Sequence, residues 1–365
     1  MVILGCCALA GLVAALTSAA QTAAPATGQT GDEIIVCGER FHTGTPIVLW
    51  TDQGGYDFHY TTAPVGTPEE RKPHRVRQSP LTDEQIAEIS KTGWTPEMLR
   101  QYVDQFVIHY SVDPTSRDTF NTLVKRHLSV QFMLDLDGTI YQTMDAQEEA
   151  PHATKANGRS VGIEIANLGG RGGDLADLKE WYKKENGKTV IKIPAKYGDG
   201  GIRNKDIALR PDRPKPIKGI IQGKTYEQYD FTPQQYKALI HLTAALCTAF
   251  PKITLDYPRQ KLSFGTPTLQ IDQHGAASHP NALATLGEPG ILIPHALSDE
   301  QYDVYQGLLG HYHVQTDKQD PGPAFQWDTL VNGARKLMTS EALAANSAAR
   351  GKPARFIPSA PKPKK

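Results

Sequence analysis

The run Gly310-His311-Tyr312-His313-Val314-Gln315-Thr316-Asp317-Lys318-Gln319-Asp320-Pro321-Gly322-Pro323 gathers imidazole, ammonium and carboxylate groups on one loop, with His311 and Asp320 nine positions apart. Such groups make poor core material. They make a good half of a zinc site, because Zn²⁺ takes imidazole nitrogen and carboxylate oxygen from rigidly held ligands. Glycine and proline on both sides supply the rigidity. A catalytic zinc with three protein ligands keeps its fourth position for water, so one more donor is needed. Upstream, the apolar strand-like run Gln105-Phe106-Val107-Ile108-His109-Tyr110-Ser111 carries a histidine near its end. A third segment, Ser160-Val161-Gly162-Ile163-Glu164-Ile165-Ala166-Asn167, puts Val161, Ile163 and Ile165 on one strand face and Gly162 and Glu164 on the other. A carboxylate in the middle of an apolar strand is costly unless it has a partner or a task. The strand therefore reads as the carrier of a general base.

Together with two further motifs, these segments resemble the zinc-dependent N-acetylmuramoyl-L-alanine amidases of type 2, the family of AmpD-like enzymes and peptidoglycan recognition proteins. The family pattern runs from a strand ending in a zinc histidine through a Ser-initiated hairpin turning at Asp-Gly, a His-Ala step and a Gly-Ile-Glu strand to a Gly-His loop closing on Lys-x-Asp-Pro-Gly. Here the hairpin is Ser129-Val130-Gln131-Phe132-Met133-Leu134-Asp135-Leu136-Asp137-Gly138-Thr139-Ile140-Tyr141, with Asp137-Gly138 as a tight-turn signal, and the His-Ala step is His152-Ala153. The similarity spans roughly residues 100 to 335, broken by long insertions.

Position by position, the resemblance implies His109, His311 and Asp320 as zinc ligands, Glu164 as general acid/base, and Lys318 as a stabiliser of the transition state. Where some relatives carry a catalytic tyrosine followed by a histidine, this chain has Val130 and Gln131, so Glu164 is left to do the proton work alone. The implied fold is α/β: a central mixed β-sheet flanked by helices 115–127 and 233–250, with the zinc site in an open groove at the strand ends. The implied reaction is hydrolysis of the amide between N-acetylmuramic acid and L-alanine, in polymeric peptidoglycan or soluble muropeptides. Two other readings stay open. A protein of the same fold could bind peptidoglycan without cleaving it, though a full ligand set and Glu164 argue against that. A different zinc hydrolase would be supported by a His-Glu-x-x-His helix, which the chain does not contain.

Each side chain also has a plainer reading. With 12 histidines in the chain, His241, His274, His279, His295 and His313 are taken as surface or satisfied core groups. Asp320 could instead cap the loop before Pro321, and Lys318 could be a solvated surface lysine. His152 could touch substrate, support the metal ligands or merely pack; it is carried forward as a substrate contact.

The formal net charge is zero, from 39 basic and 39 acidic residues. There is thus no global case for nucleic-acid binding or an electrostatic grip on membranes. Residues 1–20 have signal-peptide length and composition, with a Ser18-x-Ala20 step suited to cleavage, which points to a periplasmic or secreted location. Ile3-Leu4-Gly5-Cys6 also resembles a lipoprotein box, but only five residues precede that cysteine. Cys37 and Cys247 could pair in an oxidising compartment, or Cys247 could be a small buried hydrophobe on helix 233–250.

The rest of the chain divides into a linker at 21–32, a small β-rich appendage at 33–80 and the catalytic domain at 81–348. Insertions interrupt that domain at 169–230 and 253–296. The first is rich in aromatics, lysines and arginines and is read as a wall of the substrate groove, against the plainer reading of a flap packed on its own aromatics. Helices are expected over 81–90, 95–102, 115–127, 233–250, 299–309 and 327–348, and the basic, proline-rich 349–365 tail could touch anionic wall or lipid.

Overall fold

An antiparallel hairpin of β1 (Gly31–Val36) and β2 (Glu39–Leu49) begins the computed structural model, which describes residues 31–59, 77, 81–261 and 290–350. Next come α1 (Asp83–Thr92), α2 (Pro96–Tyr102), β3 (Gln105–Tyr110) and α3 (Ser116–Lys125). Three strands follow, β4 (Phe132–Leu134), β5 (Ile140–Gln142) and β6 (Ser160–Ile165). The first insertion holds two hairpins, β7 (Tyr182–Glu185) with β8 (Lys188–Ile191), and β9 (Ile217–Ile221) with β10 (Lys224–Gln228). Then come α4 (Pro233–Ala249), the paired β11 (Arg259–Lys261) and β12 (Gly290–Leu292), and α5 (Asp299–Val304). The last described elements are β13 (Gly307–Gly310), the one-turn helix α6 (His311–Val314) and α7 (Trp327–Arg350).

The leader at 1–20, the linker up to residue 30, the tail beyond 350, His274, His279 and most of the second insertion lie outside the described residues. All described residues belong to one contact unit, and no described helix is long and apolar enough to cross a membrane.

The central sheet has seven strands in the order β1-β2-β5-β4-β6-β3-β13. The β1/β2 and β4/β5 pairs are antiparallel; the other four pairings are parallel, so the sheet is mixed. Capping fixes where its helices begin. Thr115 accepts from the Asp118 amide at the start of α3, and Thr232 forms a reciprocal capping box with Gln235, ahead of Pro233, at the start of α4.

One face of the sheet is continuously apolar. Phe106, Ile108, Phe132, Leu134, Val161, Ile163 and Leu308 pack there against Leu239, Leu242 and Leu246 of α4 and Leu330 and Val331 of α7. The opposite face carries two separate apolar clusters. Val107 and Leu309 belong to one, at the β13 side; Val48, Met133 and Tyr141 belong to the other, with Leu123 of α3. Between these clusters the strands present His109, Gly162 and Glu164, so the apolar cover is interrupted where the chemistry-bearing groups stand.

Two expectations are corrected. The 33–80 segment is not a separate appendage as far as it is described: β2 lies parallel beside β5, with Ile47, Val48 and Leu49 opposite Ile140, Tyr141 and Gln142. Ile47 and Val48 point to opposite faces and both are buried, which a strand inside a two-sided sheet achieves and a surface hairpin does not. The helix expected over 299–309 stops at Val304, and residues 307–310 form β13 alongside β3. Gly307 has φ +143, and Leu308 and Leu309 are each buried against a different face, a pattern without helical period.

Candidate metal centre

Parallel pairing of β13 with β3 sets Gly310 beside Ile108, so the residues that follow, His109 on β3 and His311 at the start of α6, emerge at the same end of the sheet. Asp320 returns to them because its carbonyl accepts the amide of Tyr312, closing the 311–320 loop on itself. The approach is tight. A Cβ at Gly310 would stand 2.6 Å from Cδ of Pro321, so only glycine fits there.

The three side chains meet at a point. His109 Nδ1 lies 3.0 Å from His311 Nδ1 and 2.8 Å from Asp320 Oδ2, and His311 Nδ1 lies 3.1 Å from the same carboxylate oxygen. All three residues are buried. Ligands around a tetrahedral zinc at its usual bond lengths stand about 3.3 Å apart, close to what is seen. Two imidazole nitrogens and one carboxylate oxygen facing each other are three acceptors unless protons are added, and a divalent cation satisfies all of them at once. The donor set therefore fits zinc, and it is the only such cluster of histidine, cysteine and carboxylate groups found among the described residues.

Each histidine is oriented from behind. With Nδ1 turned to the centre, His109 Nε2 meets His152 Nδ1 at 3.0 Å, and His152 Nε2 meets Ser160 Oγ at 3.3 Å. Ser160 Oγ donates in turn to the carbonyl of Ala156. His311 Nε2 meets Oε1 of Gln315 at 2.7 Å. Such partners fix ring orientation and raise the basicity of the ligating nitrogen. Burial and the neighbouring His311 lower the His109 pKa to about 4, and burial with the His109 and His311 rings holds His152 well below the usual histidine value. Both rings are thus kept neutral, as ligand and acceptor require. Burial alone would raise the Asp320 pKa, but the facing imidazoles hold it below the ordinary carboxylate range.

Glu164 stands next to His109 across the β3/β6 pair and lines a cleft of about 300 Å³ together with His152, His311, Lys318 and Asp320. Burial pushes its pKa well above the usual value, reinforced by Asp320 and Asp113 and opposed by Arg126 and Lys318. Its buried Oε2 makes no hydrogen bond. A buried carboxylate oxygen without a hydrogen bond is costly unless it has a task. Lys318 is half-buried on the cleft wall. His152 also lines the cleft, so the same ring touches both His109 and the space open to a ligand.

Sequence reading missed several groups. Asp113 and Arg126 line the cleft, from the loop after β3 and the end of α3; the loop beyond the carboxyl end of a parallel strand was the available signal. Gln131 is committed to backbone: it donates to the Glu148 carbonyl and accepts from the Gly162 amide. His313 is a satisfied core residue, accepting from the Gly310 amide and bonding the Ile293 carbonyl; His241 and His295 likewise bond carbonyls. Cys37 and Cys247 are both free.

The first insertion is not a wall of this cleft, since none of its residues lines it. Trp181 is buried with Ile191 and Ile202 against Leu136 and Ala166 at the edge of the sheet, and Tyr182 stacks on Tyr229 at 3.8 Å. The aromatics are consumed by packing the flap. Its second hairpin nonetheless reaches the metal loop, where Gln228 donates to the Pro321 carbonyl and accepts from the Ala324 amide.

A mixed sheet that gathers two histidines and an aspartate at the edge of a cleft lined by a half-buried glutamate defines the class: an α/β protein with a candidate metal centre. The family model for N-acetylmuramoyl-L-alanine amidase matches residues 99–323, and the chain belongs to that family. No curated protein matches the chain in sequence.

Among solved structures, it is similar to a complex of the N-acetylmuramyl-L-alanine amidase AmiD from E. coli with anhydro-N-acetylmuramic acid-L-Ala-D-gamma-Glu-L-Lys, at 17% identity over 64% of this chain and 57% of that one, TM-score 0.31. It is also similar to a selenomethionine derivative of AmpD, at 14% identity over 64% and 86%, TM-score 0.28. A third is the endolysin amidase LysCS from Clostridium intestinale, at 15% identity over 66% and 86%, TM-score 0.28. The chain spans a little over half the length of the first of these, 57%.

Proposed function

We propose that the protein is a zinc amidase that hydrolyses the bond between N-acetylmuramic acid and L-alanine in peptidoglycan or its fragments. The observation that carries this reading is the convergence of His109 Nδ1, His311 Nδ1 and Asp320 Oδ2 within about 3 Å of each other, beside Glu164, whose buried Oε2 makes no hydrogen bond. Those three residues would hold the zinc. Bound there, zinc supplies Lewis acidity, acidifying water and polarising a carbonyl at neutral pH.

The rest is the work of the chain. Glu164 accepts a proton from the attacking water as the lactyl carbonyl carbon gains a fourth substituent and its π electrons pass to the carbonyl oxygen; when that oxygen re-forms the double bond, the amide C–N bond is the one that breaks. Glu164 then returns that proton to the nitrogen of L-alanine as the C–N bond breaks, so one water is consumed and an acid and an amine are released. The raised pKa of Glu164 suits the second half of this task, because the carboxyl keeps the proton until the amine needs it. The ammonium of Lys318 faces the same cleft and offsets negative charge developing on the carbonyl oxygen. His152 holds His109 and borders the space where substrate enters.

The decisive experiment incubates purified protein with a muropeptide and follows the products by mass spectrometry. A stem peptide with a free L-alanine amino terminus appears, disappears with chelator and returns with Zn²⁺. Zinc-loaded protein that binds muropeptide and releases nothing would support the binding-only reading instead. We further read the protein as periplasmic or secreted from the composition of residues 1–20, with wall or membrane contact through the basic tail. Mature protein in the cytoplasm with those residues intact would rule out that location.

A further inference from the structure

We propose that Gln222, at the tip of the β9–β10 hairpin in the first insertion, is a positioning residue for the metal centre that acts on His311 through Gln315. The proposal rests on the zinc reading given above. It assigns the insertion a task at the site that its absence from the cleft wall does not suggest.

The argument begins with α6. Four residues make a single turn, which has no stability of its own and leaves the carbonyls after His311 without helical partners. His311 is the first residue of that turn and Gln315 follows its last, joined by one hydrogen bond from the Gln315 amide to the His311 carbonyl. Gln222 adds partners from outside, the Gln315 carbonyl also accepting from the Lys318 amide. Its Nε2 donates to the carbonyls of both Tyr312 and Gln315 at 2.8 Å, its Oε1 accepts from the Ala296 amide, and its own amide donates to the Pro294 carbonyl. The backbone of Gln315 is thereby pinned, and its side-chain Oε1 is the atom that holds His311 Nε2 at 2.7 Å.

The backbone at Gln222 supports this reading independently. Gln222 has φ +52 and Gly223 φ +70, so both central residues of this two-residue turn are left-handed. Turns of that kind favour asparagine or glycine. A glutamine there is disfavoured by the local backbone, and strain held at such a position points to a task outside the turn. What glutamine has over asparagine is one methylene of reach, which is what the carbonyls of Tyr312 in α6 and of Gln315 just after it demand.

The test uses Gln222→Gly, which removes the amide while relieving the backbone, and Gln222→Asn, which suits the backbone but falls short of α6. Gln315→Leu removes the acceptor itself. Zinc dissociation constants by chelator competition, the visible spectrum of the Co²⁺-substituted protein and the unfolding midpoint of the metal-free protein are compared. Both Gln222 variants are expected to hold zinc about tenfold more weakly and to alter the cobalt spectrum, with Gln315→Leu weakening it by about 10–100-fold. Combining Gln222→Gly with Gln315→Leu weakens zinc binding by less than the product of the two single effects, because both act on one ring. Wild-type zinc affinity and an unchanged cobalt spectrum in both Gln222 variants would overturn the proposal. So would a lowered metal-free midpoint without a spectral change, which marks a merely structural role. Wild-type protein that binds no zinc would instead sink the metal reading on which the proposal stands.

Discussion

His109 and Glu164 are direct neighbours across the parallel β3/β6 pair, on the sheet face where the apolar cover is broken. One register thus ties a candidate metal ligand to the candidate general acid/base, while only one of the two belongs to the cluster that could hold a cation. Their roles therefore separate under mutation. Glu164→Gln keeps the shape of the side chain and removes its proton chemistry. It is expected to retain full zinc content by elemental analysis and to lose about 10²–10⁴-fold in kcat. Zinc loss equal to that of a ligand variant would contradict the division.

Removing a ligand has the opposite signature. His311→Ala takes away one of three donors and leaves Asp320 facing one imidazole, so zinc content and turnover fall together. Chelator treatment of wild type does the same reversibly, and added Zn²⁺ restores activity to wild type but not to the variant. Retention of stoichiometric zinc by His311→Ala would show that the cation lies elsewhere.

The two readings of His152 differ in which constant moves. Its Nδ1 meets His109 Nε2 at 3.0 Å, so His152→Phe keeps a ring in place but removes the acceptor. If its support of His109 dominates, zinc affinity falls by about 10–100-fold and substrate at saturating zinc is turned over with little change in KM. A rise in KM with unaltered zinc affinity would make it a substrate contact alone. The close approach matters here too: a Cβ at Gly162 would stand 2.6 Å from the His152 ring, so Gly162→Ala is expected to displace His152 and weaken zinc in the same way.

Much of this centre is legible in the sequence because its parts are local. His311, Lys318 and Asp320 fall within one short loop, and the alternation around Glu164 states which face it takes. What brings His109 to them is a long-range register between β3 and β13, and β13 was hidden because a strand buried on both faces shows no alternation. The same cause hid the place of β2 in the sheet. The aromatics of the first insertion misled for a different reason: tyrosine and tryptophan serve a flap core and a ligand groove equally well, and composition does not separate the two. Gln222, Gln228 and Gln315 were invisible because a glutamine amide takes meaning only from the carbonyls it reaches.

The clamp on the chain entering the His152 loop has its own pH dependence. His59 is held between Asp57 Oδ1, at 2.5 Å, and Glu148 Oε1, at 2.9 Å, which ties the 51–59 loop to the segment leading to His152. The hydrogen bond to Glu148 outweighs burial and, with Asp57, raises the His59 pKa to about 9. A histidine whose folded pKa lies above its unfolded value of about 6.5 stabilises the fold fully below that value and loses the contribution as pH climbs through the folded pKa. Stability is therefore expected to fall between about pH 6.5 and pH 9, by on the order of 1–2 kcal/mol once solvent screening at this partly exposed site is allowed for. His59→Gln should be less stable than wild type at pH 6 and indistinguishable from it near pH 9.5, as read by urea unfolding at each pH. A difference between the two proteins that is constant across this range would show that His59 contributes packing and not charge. If the loop instead melts locally, protease cleavage near residue 59 should rise with pH in wild type and be high at every pH in His59→Gln, because the ion pairs hold the loop only while the imidazole is protonated.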